Sequence, residues 1–308
     1  MVVAVLGPTA AGKSGVAIAL ARRLAESGRP AEIVNADSMQ LYTGLDIGTA
    51  KVPVADRGGV VHHLLDVWPI QRSAAVAEYQ RLARECIGRL RVGGTTPVLV
   101  GGSGLYLRAA LDPLDFPGES PAIRARLCTE LDADGPGRLH ARLAEQDPDA
   151  AAAILPTNGR RIVRALEVIE LTGRPFRARL PAFAAVYPSV HVGLDRDDLD
   201  ARVDRRVDAM MEEGWLEEVR RLLPFGLRTS PTAGKALGYA QLLAVLDDRG
   251  QLVGDLGEAV AITKRATRRF VRRQRSWFRR DPRVQWYDAA APDLLDALVA
   301  AVLPTLQG

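Results

Sequence analysis

The segment GPTAAGKS, from Gly7 to Ser14, has the spacing G-x-x-x-x-G-K-S that is typical of phosphate-binding loops. Backbone N–H groups of such a loop form a concavity that favours anions, and the N-terminus of the next helix adds its positive end. Lys13 supplies a positive charge, and the Ser14 hydroxyl can bind a magnesium ion that bridges phosphates. We therefore expect a diphosphate or nucleotide site formed by Gly7, Pro8, Thr9, Ala10, Ala11, Gly12, Lys13 and Ser14. The alternative is a glycine-rich turn without a ligand.

A single acidic residue, Asp37, is well placed to act with this loop. It follows the short apolar segment Glu32–Val34, and strand ends of this kind face the ligand crevice of a parallel sheet. A carboxylate there can accept a proton from a substrate, although an aspartate at such a place can also cap a turn or a helix. The apolar segment Val98–Val100 ends in Gly101-Gly102-Ser103 without an acid, and no Asn-Lys-x-Asp motif is present. Both observations weaken an ATPase or GTPase interpretation.

The segment from Lys264 to Arg280 contains nine Lys or Arg residues and no acid. Such a block repels itself unless an anion covers it, and a stripe of arginines suits a nucleic-acid backbone. Helical spacing places Phe270 and Trp277 on one face, which we expect to anchor the helix in the core. The outward stripe would then consist of Arg265, Arg268, Arg272 and Arg279. The alternative is a solvated helix face without a partner.

These residues are positioned by alternating strands and helices, which predicts an α/β fold with a parallel sheet flanked by helices, like that of P-loop NTPases. The predicted strands are Val2–Leu6, Glu32–Val34, Pro97–Val100, Val190–Leu194 and Arg283–Trp286. The predicted helices of the core are Ala74–Leu90, Asp197–Leu223, Lys235–Leu246, Asp255–Arg280 and a tail from Asp293. The chain becomes proline-rich near Asp112, and the pattern is entirely helical from Pro121 to about Arg179. We expect a core domain of residues 1–115 and 188–308, with basic C-terminal helices, interrupted by a small all-helical insertion at 116–187.

Composition limits the remaining classes of protein. The chain has 308 residues, a net charge of +4 and only two cysteines, so a disulfide framework is not expected. No apolar run approaches the roughly 20 residues of a membrane helix. We do not expect the start to be a signal peptide, because it lacks a basic leader and the apolar stretch Val2–Leu6 is too short. The four histidines offer no zinc-binding spacing. We expect a cytoplasmic protein without a membrane partner.

A resemblance to a known family rests on motifs that occur in order from Gly7 to Arg280. They are GPTAAGKS, NADSMQLYTGLDIGTAK, HHLLDV, PVLVGGSGLYLRAAL, RRIVRALEVIELTG, ALGY and RRFVRRQRSWFRR. Together they resemble the tRNA dimethylallyltransferases. The resemblance implies transfer of a dimethylallyl group from dimethylallyl diphosphate to N6 of the adenosine immediately 3′ of the anticodon in tRNA. It also implies Mg²⁺ as cofactor and, in our expectation, a monomer.

The resemblance assigns roles to individual residues. Asp37 matches the family's catalytic aspartate, and we expect Lys13 and Thr9, which lies in the donor pocket, to be catalytic as well. Implied tRNA contacts are Asp37, Ser38, Met39, Gln40, Ser103, Arg124, Arg160, Arg161, Arg164, Lys235, Arg272, Arg273, Gln274, Arg275 and Arg279. Ser103 stands where the family usually has Thr, and Asn158 stands where Asp is usual.

Two other functions fit parts of the pattern. A nucleotide or small-molecule kinase would use the phosphate loop but would not need the basic helix. A non-catalytic RNA-binding NTPase would bind nucleotide and RNA and form no covalent product. We interpret His62 and His63 as hydrogen-bonded structural residues in preference to catalytic ones. We interpret Trp215, Met210 and Met211 as core packing in preference to a prenyl pocket.

Overall fold

The computed structural model describes residues 1–176 and 180–306. Its contacts divide the chain into two compact units, Met1–Asp112 with Ala185–Gly308, and Pro113–Ala184. The first unit contains a six-stranded, fully parallel sheet in the order β3-β2-β4-β1-β5-β6. The strands are β1 (Val2–Leu6), β2 (Ala31–Asn35), β3 (His62–His63), β4 (Thr96–Gly101), β5 (Ser189–Asp195) and β6 (Val284–Asp288). The predicted fold class is confirmed.

Eleven helices lie within the described residues. Those of the first unit are α1 (Lys13–Glu26), α2 (Val76–Val92), α3 (Gly104–Leu111), α7 (Leu199–Glu212), α8 (Trp215–Leu222), α9 (Tyr239–Ala244), α10 (Leu256–Phe278) and α11 (Leu294–Val302). Those of the second unit are α4 (Pro121–Gln146), α5 (Pro148–Ala153) and α6 (Gly159–Thr172). Across residues 1–176 and 180–306, no helix combines the length and the apolar character that crossing a bilayer requires.

The central strand β1 explains the layered arrangement. All five of its residues are buried, as expected for a parallel strand with helices on both faces. Val3 pairs with Val98 of β4 on one side and with Val190 of β5 on the other. Leu20 and Leu24 of α1 pack into the same core. The carboxyl ends of β1, β2 and β4 therefore open at one edge, where a ligand crevice is expected.

The second unit is a small helical cluster with its own core. Leu127, Leu143, Ile162 and Leu166 are fully buried in it. α4 is kinked at Gly135, which adopts φ 77° and is followed by Pro136. The helical pattern that the sequence predicts to about Arg179 ends in α6 at Thr172, and residues 177–179 lie outside the described part of the chain.

The prediction of one helix over Asp197–Leu223 is wrong. Gly214 adopts φ 95°, a left-handed conformation that ends α7 and starts α8 in a new direction. The helix predicted over Lys235–Leu246 is shortened to α9, because Gly238 adopts φ 87° and a Cβ there would lie 1.9 Å from the Trp215 ring. The predicted strands agree with the observed ones within one or two residues at each end. The two-residue strand β3 and helix α3 were not predicted.

Candidate active site

The phosphate loop connects β1 to α1 in the geometry that its sequence predicts. A Cβ at Gly7 would lie 2.2 Å from the Leu194 carbonyl oxygen of β5, so only glycine fits there. Gly12 has φ 89° and forms the N-cap of α1, which begins at Lys13. The free N–H groups at this helix end therefore face the loop.

Lys13 and Asp37 line one cavity, the phosphate cavity, of ≈ 250 Å³. Lys13 Nζ donates a hydrogen bond to the Pro8 carbonyl oxygen at 2.7 Å. Burial lowers the pKa of Lys13 to about 8; the Asp37 carboxylate opposes this shift, and the Arg206 guanidinium reinforces it. Thr9, Ala10, Gly12 and Ser14 also line the cavity, whereas Gly7, Pro8 and Ala11 of the predicted phosphate site do not. The cavity is thus a concave, cationic site of the kind that binds phosphates.

Asp37 is held by the end of β2. The Asn35 amide accepts a hydrogen bond from Asp37 N at 2.9 Å and donates to the carbonyl oxygens of Asp37 and Leu64, each at 3.0 Å. Asp37 Oδ1 accepts the Met39 N–H at 2.9 Å, so one carboxylate oxygen does stabilise a turn. Its other oxygen, Oδ2, has no hydrogen-bond donor in the described part of the chain. The turn interpretation and the acceptor interpretation therefore apply to different oxygens of one side chain.

A second cavity of ≈ 340 Å³, the apolar cavity, adjoins the first. Five residues line both, and they are Thr9, Ala10, Asp37, Thr49 and Arg206. The apolar part of the lining comprises Val203, Val207, Met210, Trp215, Leu237 and Phe270. A ligand with an anionic end and a small apolar end can occupy both cavities, and Asp37 then lies at the boundary.

Sequence reasoning missed two groups of lining residues. Arg206 lies on the same face of α7 as the buried residues Val203 and Val207, and burial lowers the pKa of its guanidinium. An arginine on the apolar face of an amphipathic helix is a signal that could have indicated it. Trp215 and Met210 are buried as predicted, but they also line the apolar cavity. Their interpretation as core packing was therefore incomplete.

Buried polar contacts fix the segment that carries Thr49. Glu218, which is 2% exposed, accepts the N–H groups of Asp46, Ile47 and Gly48 and the Tyr239 hydroxyl. A carboxylate that accepts several backbone N–H groups is strongly stabilised in its charged form. This cluster holds the loop against α8 and α9, which keeps the apolar cavity walled on that side.

The tRNA contacts that the sequence predicts at the ends of β2 and β4 lie close together in the structure. Ser38 N donates to Ser103 Oγ at 3.3 Å, and the two hydroxyl oxygens lie 3.3 Å apart. Gln40 Nε2 donates to the Thr49 carbonyl oxygen at 3.0 Å, and Met39 lines the apolar cavity. Lys235 is exposed at the end of a short 3₁₀ turn, one residue before Ala236 of the same cavity.

The histidine pair forms β3, and its ring nitrogens have partners. His62 Nδ1 lies 2.8 Å from the Val60 carbonyl oxygen, and His63 Nε2 lies 2.6 Å from Glu32 Oε2. Burial lowers the pKa of His62, which favours its neutral form. His62 also borders the phosphate cavity. These contacts agree with a structural role.

The basic helix α10 pairs with acids of α7, which the sequence analysis did not anticipate. Three ion pairs connect the two helices: Lys264–Asp208, Arg268–Asp204 and Arg272–Asp200. At the end of β5, Asp195 adds pairs to Arg275 at 2.8 Å and to Arg279 at 3.4 Å. The acids lie between 56 and 84 residues earlier in the chain than their partners, so the local sequence shows a block of like charge that the fold partly neutralises.

The expectation that Phe270 and Trp277 anchor α10 in the core is met only in part, because Trp277 packs against Gly104 at the start of α3 but neither ring is fully buried. The buried face instead carries Thr263, Val271, Gln274 and Phe278, a 3–4 residue spacing that is displaced from the predicted one. Trp277 is 37% exposed and lies in a shallow groove bordered by Arg272, Arg273, Ser276 and Arg280. The Arg273 guanidinium stacks 5.7 Å from the Phe270 ring centroid, at the wall of the apolar cavity.

Gln274 is not at the protein surface, in contrast to its assignment as an RNA contact. It is 6% exposed, and both ends of its amide bond to backbone groups of the protein. The spacing within RRQRS alone did not reveal which residue of the segment faces inward.

In the second unit, the predicted arginines fall into two groups. Arg124 and Arg164 both bind the Glu167 carboxylate, whose side chain is fully buried. Arg160 and Arg161 are exposed at the start of α6. Asn158 caps this helix by accepting the Arg161 N–H at 3.3 Å, so the amide fulfils the capping role expected of an aspartate.

Comparison with known proteins places these features in a family context. The sequence profile of the IPP transferase family matches residues 40–281. A tRNA dimethylallyltransferase of Thermobifida fusca is 60% identical over 98% of this chain and 94% of its own length. A protein of the same description from Streptomyces avermitilis is 59% identical over 96% and 92%.

Solved structures show the same fold. A tRNA isopentenylpyrophosphate transferase of Bacillus halodurans superposes with a TM-score of 0.71 at 37% identity, covering 99% of this chain and 96% of its own. A eukaryotic dimethylallyltransferase, described in crystallographic snapshots of its action on tRNA, gives a TM-score of 0.80 at 23% identity. That match covers 98% of this chain and 78% of the other, and it bears on the fold.

Proposed function

This chain belongs to the IPP transferase family, and we propose that it transfers a dimethylallyl group from dimethylallyl diphosphate to N6 of the adenosine at tRNA position 37, immediately 3′ of the anticodon. The products are N6-(dimethylallyl)adenosine and diphosphate. The observation that carries the proposal is that the phosphate and apolar cavities are adjacent and share lining residues, with Asp37 among them. A diphosphate ester of a five-carbon apolar group matches this pair of cavities in charge and polarity.

The phosphate cavity stabilises the leaving group. As the allylic C–O bond breaks, negative charge develops on the diphosphate. Lys13 and Arg206 line this cavity, and α1 begins at its border, so these groups are in place to stabilise the charge as it forms. Thr9, which lines both cavities, lies where the diphosphate meets the apolar group.

Asp37 orients the nucleophile. Adenine N6 forms the new C–N bond as the C–O bond to diphosphate breaks, and one N6 proton then leaves. Asp37 Oδ2 has its lone pairs available, while Oδ1 holds the side chain in place through Met39 N. We propose that Oδ2 accepts the N6–H hydrogen bond and takes the proton as the C–N bond forms. A positioned base of this kind contributes about 10²–10⁴ in rate.

The donor set fits a magnesium ion that arrives with the diphosphate. Ser14 offers one hydroxyl, and no cluster of three His, Cys, Asp or Glu side chains exists within residues 1–176 and 180–306 to hold a metal by itself. Mg²⁺ typically keeps several waters and binds through one or two protein ligands plus phosphate oxygens. When bound, Mg²⁺ would neutralise charge on the diphosphate, and Ser14 would be the residue that holds it.

The RNA site is proposed to include the Ser38–Ser103 pair, Lys235, the arginines of α10 and the exposed Arg160 and Arg161 of the helical unit. Position 37 must leave the anticodon stack to reach Asp37, at a cost of a few kcal/mol that stacking and phosphate contacts offset. Exposed cations on both units supply such contacts. We further propose that the protein acts in the cytoplasm as a monomer.

One assay tests this function against the two alternatives. The protein is incubated with unmodified tRNA, dimethylallyl diphosphate and Mg²⁺, and the oligonucleotides produced by RNase digestion are analysed by mass, which locates any adduct. We expect one dimethylallyl adduct, on adenosine 37 only. Phosphoryl transfer from ATP would instead favour a kinase. Tight nucleotide and RNA binding without any adduct would favour a non-catalytic NTPase.

A further inference from the structure

Gln274 connects the basic helix α10 to the phosphate loop. Its Oε1 accepts the Thr9 N–H at 2.9 Å, and its Nε2 donates to the Gly102 carbonyl oxygen at 2.9 Å. Thr9 and Gln274 are 265 residues apart in sequence, and Gly102 follows β4. One buried amide therefore joins three separate elements at the edge of the phosphate cavity.

The backbone of Gly102 approaches the Gln274 amide closely. A Cβ on Gly102 would lie 2.5 Å from Gln274 Nε2, so the absence of a side chain at position 102 makes space for the contact. A buried amide that loses a partner keeps an unsatisfied polar group, which makes such a pair costly to separate. The Thr9 N–H is consequently fixed by the protein and is not available to a diphosphate oxygen.

We propose that Gln274 is a positioning residue for the diphosphate site, which acts through Thr9, and not an RNA contact. By holding the Thr9 N–H, it sets the loop so that the Thr9 side chain lies at the boundary of the two cavities. Its neighbours Arg273 and Arg275 have different tasks, because Arg273 lies exposed over Phe270 and Arg275 binds Asp195. This proposal depends on the proposed function in one respect, which is that tRNA is taken as the RNA that the protein binds.

The test measures two affinities of the full chain without turnover. Inorganic pyrophosphate with Mg²⁺ is titrated by calorimetry, and an anticodon stem-loop RNA is titrated by fluorescence anisotropy. For Gln274→Met, which removes both hydrogen bonds at similar volume, we expect the pyrophosphate Kd to rise about 10-fold. The RNA Kd is expected to stay within about twofold. Because no prenyl transfer is measured, failure of this inference is separable from failure of the proposed function.

Gln80→Met is the matched control. Gln80 also donates its amide to a backbone carbonyl of another helix, that of Ala109 at 3.0 Å, but it lies outside both cavities. We expect it to leave both affinities unchanged. If Gln274→Met lowers the thermal midpoint more than this control, Gly102→Ala decides, because the added methyl displaces the same amide while Gln274 is retained. It should raise the pyrophosphate Kd and leave the RNA Kd unchanged.

A selective loss of RNA affinity in Gln274→Met would overturn the inference and return Gln274 to the RNA surface. Unchanged affinity for both ligands would overturn it as well. Equal losses of both affinities in Gln274→Met and Gly102→Ala would show a general structural role and would also contradict it.

Discussion

Lys13 and Asp37 face the same cavity, where burial lowers the pKa of the ammonium group to about 8 and the carboxylate opposes that shift. The pair places a cation that is close to losing its proton beside an anion that borders the apolar cavity. Diphosphate binding and proton acceptance are therefore assigned to adjacent cavities that share lining residues, and the charge of Lys13 makes diphosphate binding depend on pH.

The first prediction concerns the pH dependence of diphosphate affinity. Lys13 is charged below its pKa of about 8 and neutral above it, so affinity for pyrophosphate should fall as pH rises from 7 to 9. Lys13→Arg, which stays charged, should flatten this profile. Calorimetric titrations at fixed ionic strength measure it, and an equally steep decline in Lys13→Arg would contradict the assignment.

The same group should affect folding with the opposite sign. In the unfolded chain the Lys13 pKa returns to its ordinary value of 10.5, so between about 8 and 10.5 the unfolded state binds more protons than the folded one. This group alone therefore increases the free energy of unfolding as pH rises through that window. Urea unfolding of the wild type and Lys13→Met at pH 8 and pH 10 isolates the contribution as the difference between them.

A third prediction addresses the apolar cavity. Val207 is 4% exposed and lines it, so Val207→Phe should fill space that the dimethylallyl group needs. We expect the KM for dimethylallyl diphosphate to rise about 10-fold, while the affinity for pyrophosphate, which has no apolar group, stays unchanged. A variant that binds both ligands less well by the same factor would show that the cavity does not hold the prenyl chain.

Arginines in the helical unit provide a matched pair for a fourth prediction. Arg160 is exposed, and Arg160→Met should weaken tRNA binding. The slope of log affinity against log salt should fall by about one, the value of one phosphate contact. Arg164 binds the buried Glu167, so Arg164→Met should chiefly lower thermal stability. Salt titrations and thermal unfolding of both variants measure the difference, and the reverse pattern would exchange the two roles.

The ion pairs between α7 and α10 allow a similar comparison of two arginines, one exposed and one more enclosed. Arg272 and its partner Asp200 are 60% and 59% exposed and 3.5 Å apart, a pair worth little in water, so Arg272 can turn to a phosphate. Arg272→Met should reduce the slope of log affinity against log salt by about one, and the more enclosed Arg268→Met should reduce it less. An unchanged slope in Arg272→Met would support a solvated helix face without RNA.

Local sequence was sufficient for the parts of the site that depend on backbone geometry. The phosphate loop follows from the spacing of Gly7, Gly12 and Lys13, and the place of Asp37 follows from its position after a strand. The parallel sheet followed from the alternation of apolar strands with amphipathic helices, and its strand boundaries differ by a residue or two.

What the sequence did not reveal depends on contacts between distant segments. Arg206 and Trp215 line the cavities only because α7 packs against α10 and α8 packs against α7 and α9, and Gly214 separates these two helices with a positive φ. The inward face of α10 is chosen by its packing, so Gln274 and Phe278 are buried where Phe270 and Trp277 were expected. Acids of α7 that pair with α10 are equally remote in sequence.

The most direct measurement of the central claim is single-turnover prenyl transfer by Asp37→Asn. Asparagine retains an oxygen that can accept the Met39 N–H, so the turn should persist, but its amide cannot take the N6 proton. With saturating dimethylallyl diphosphate and Mg²⁺, and with adenosine adducts counted by mass, we expect unchanged tRNA affinity and a rate about 10²–10⁴ lower. A single-turnover rate equal to that of the wild type would remove Asp37 from the chemistry and contradict this account.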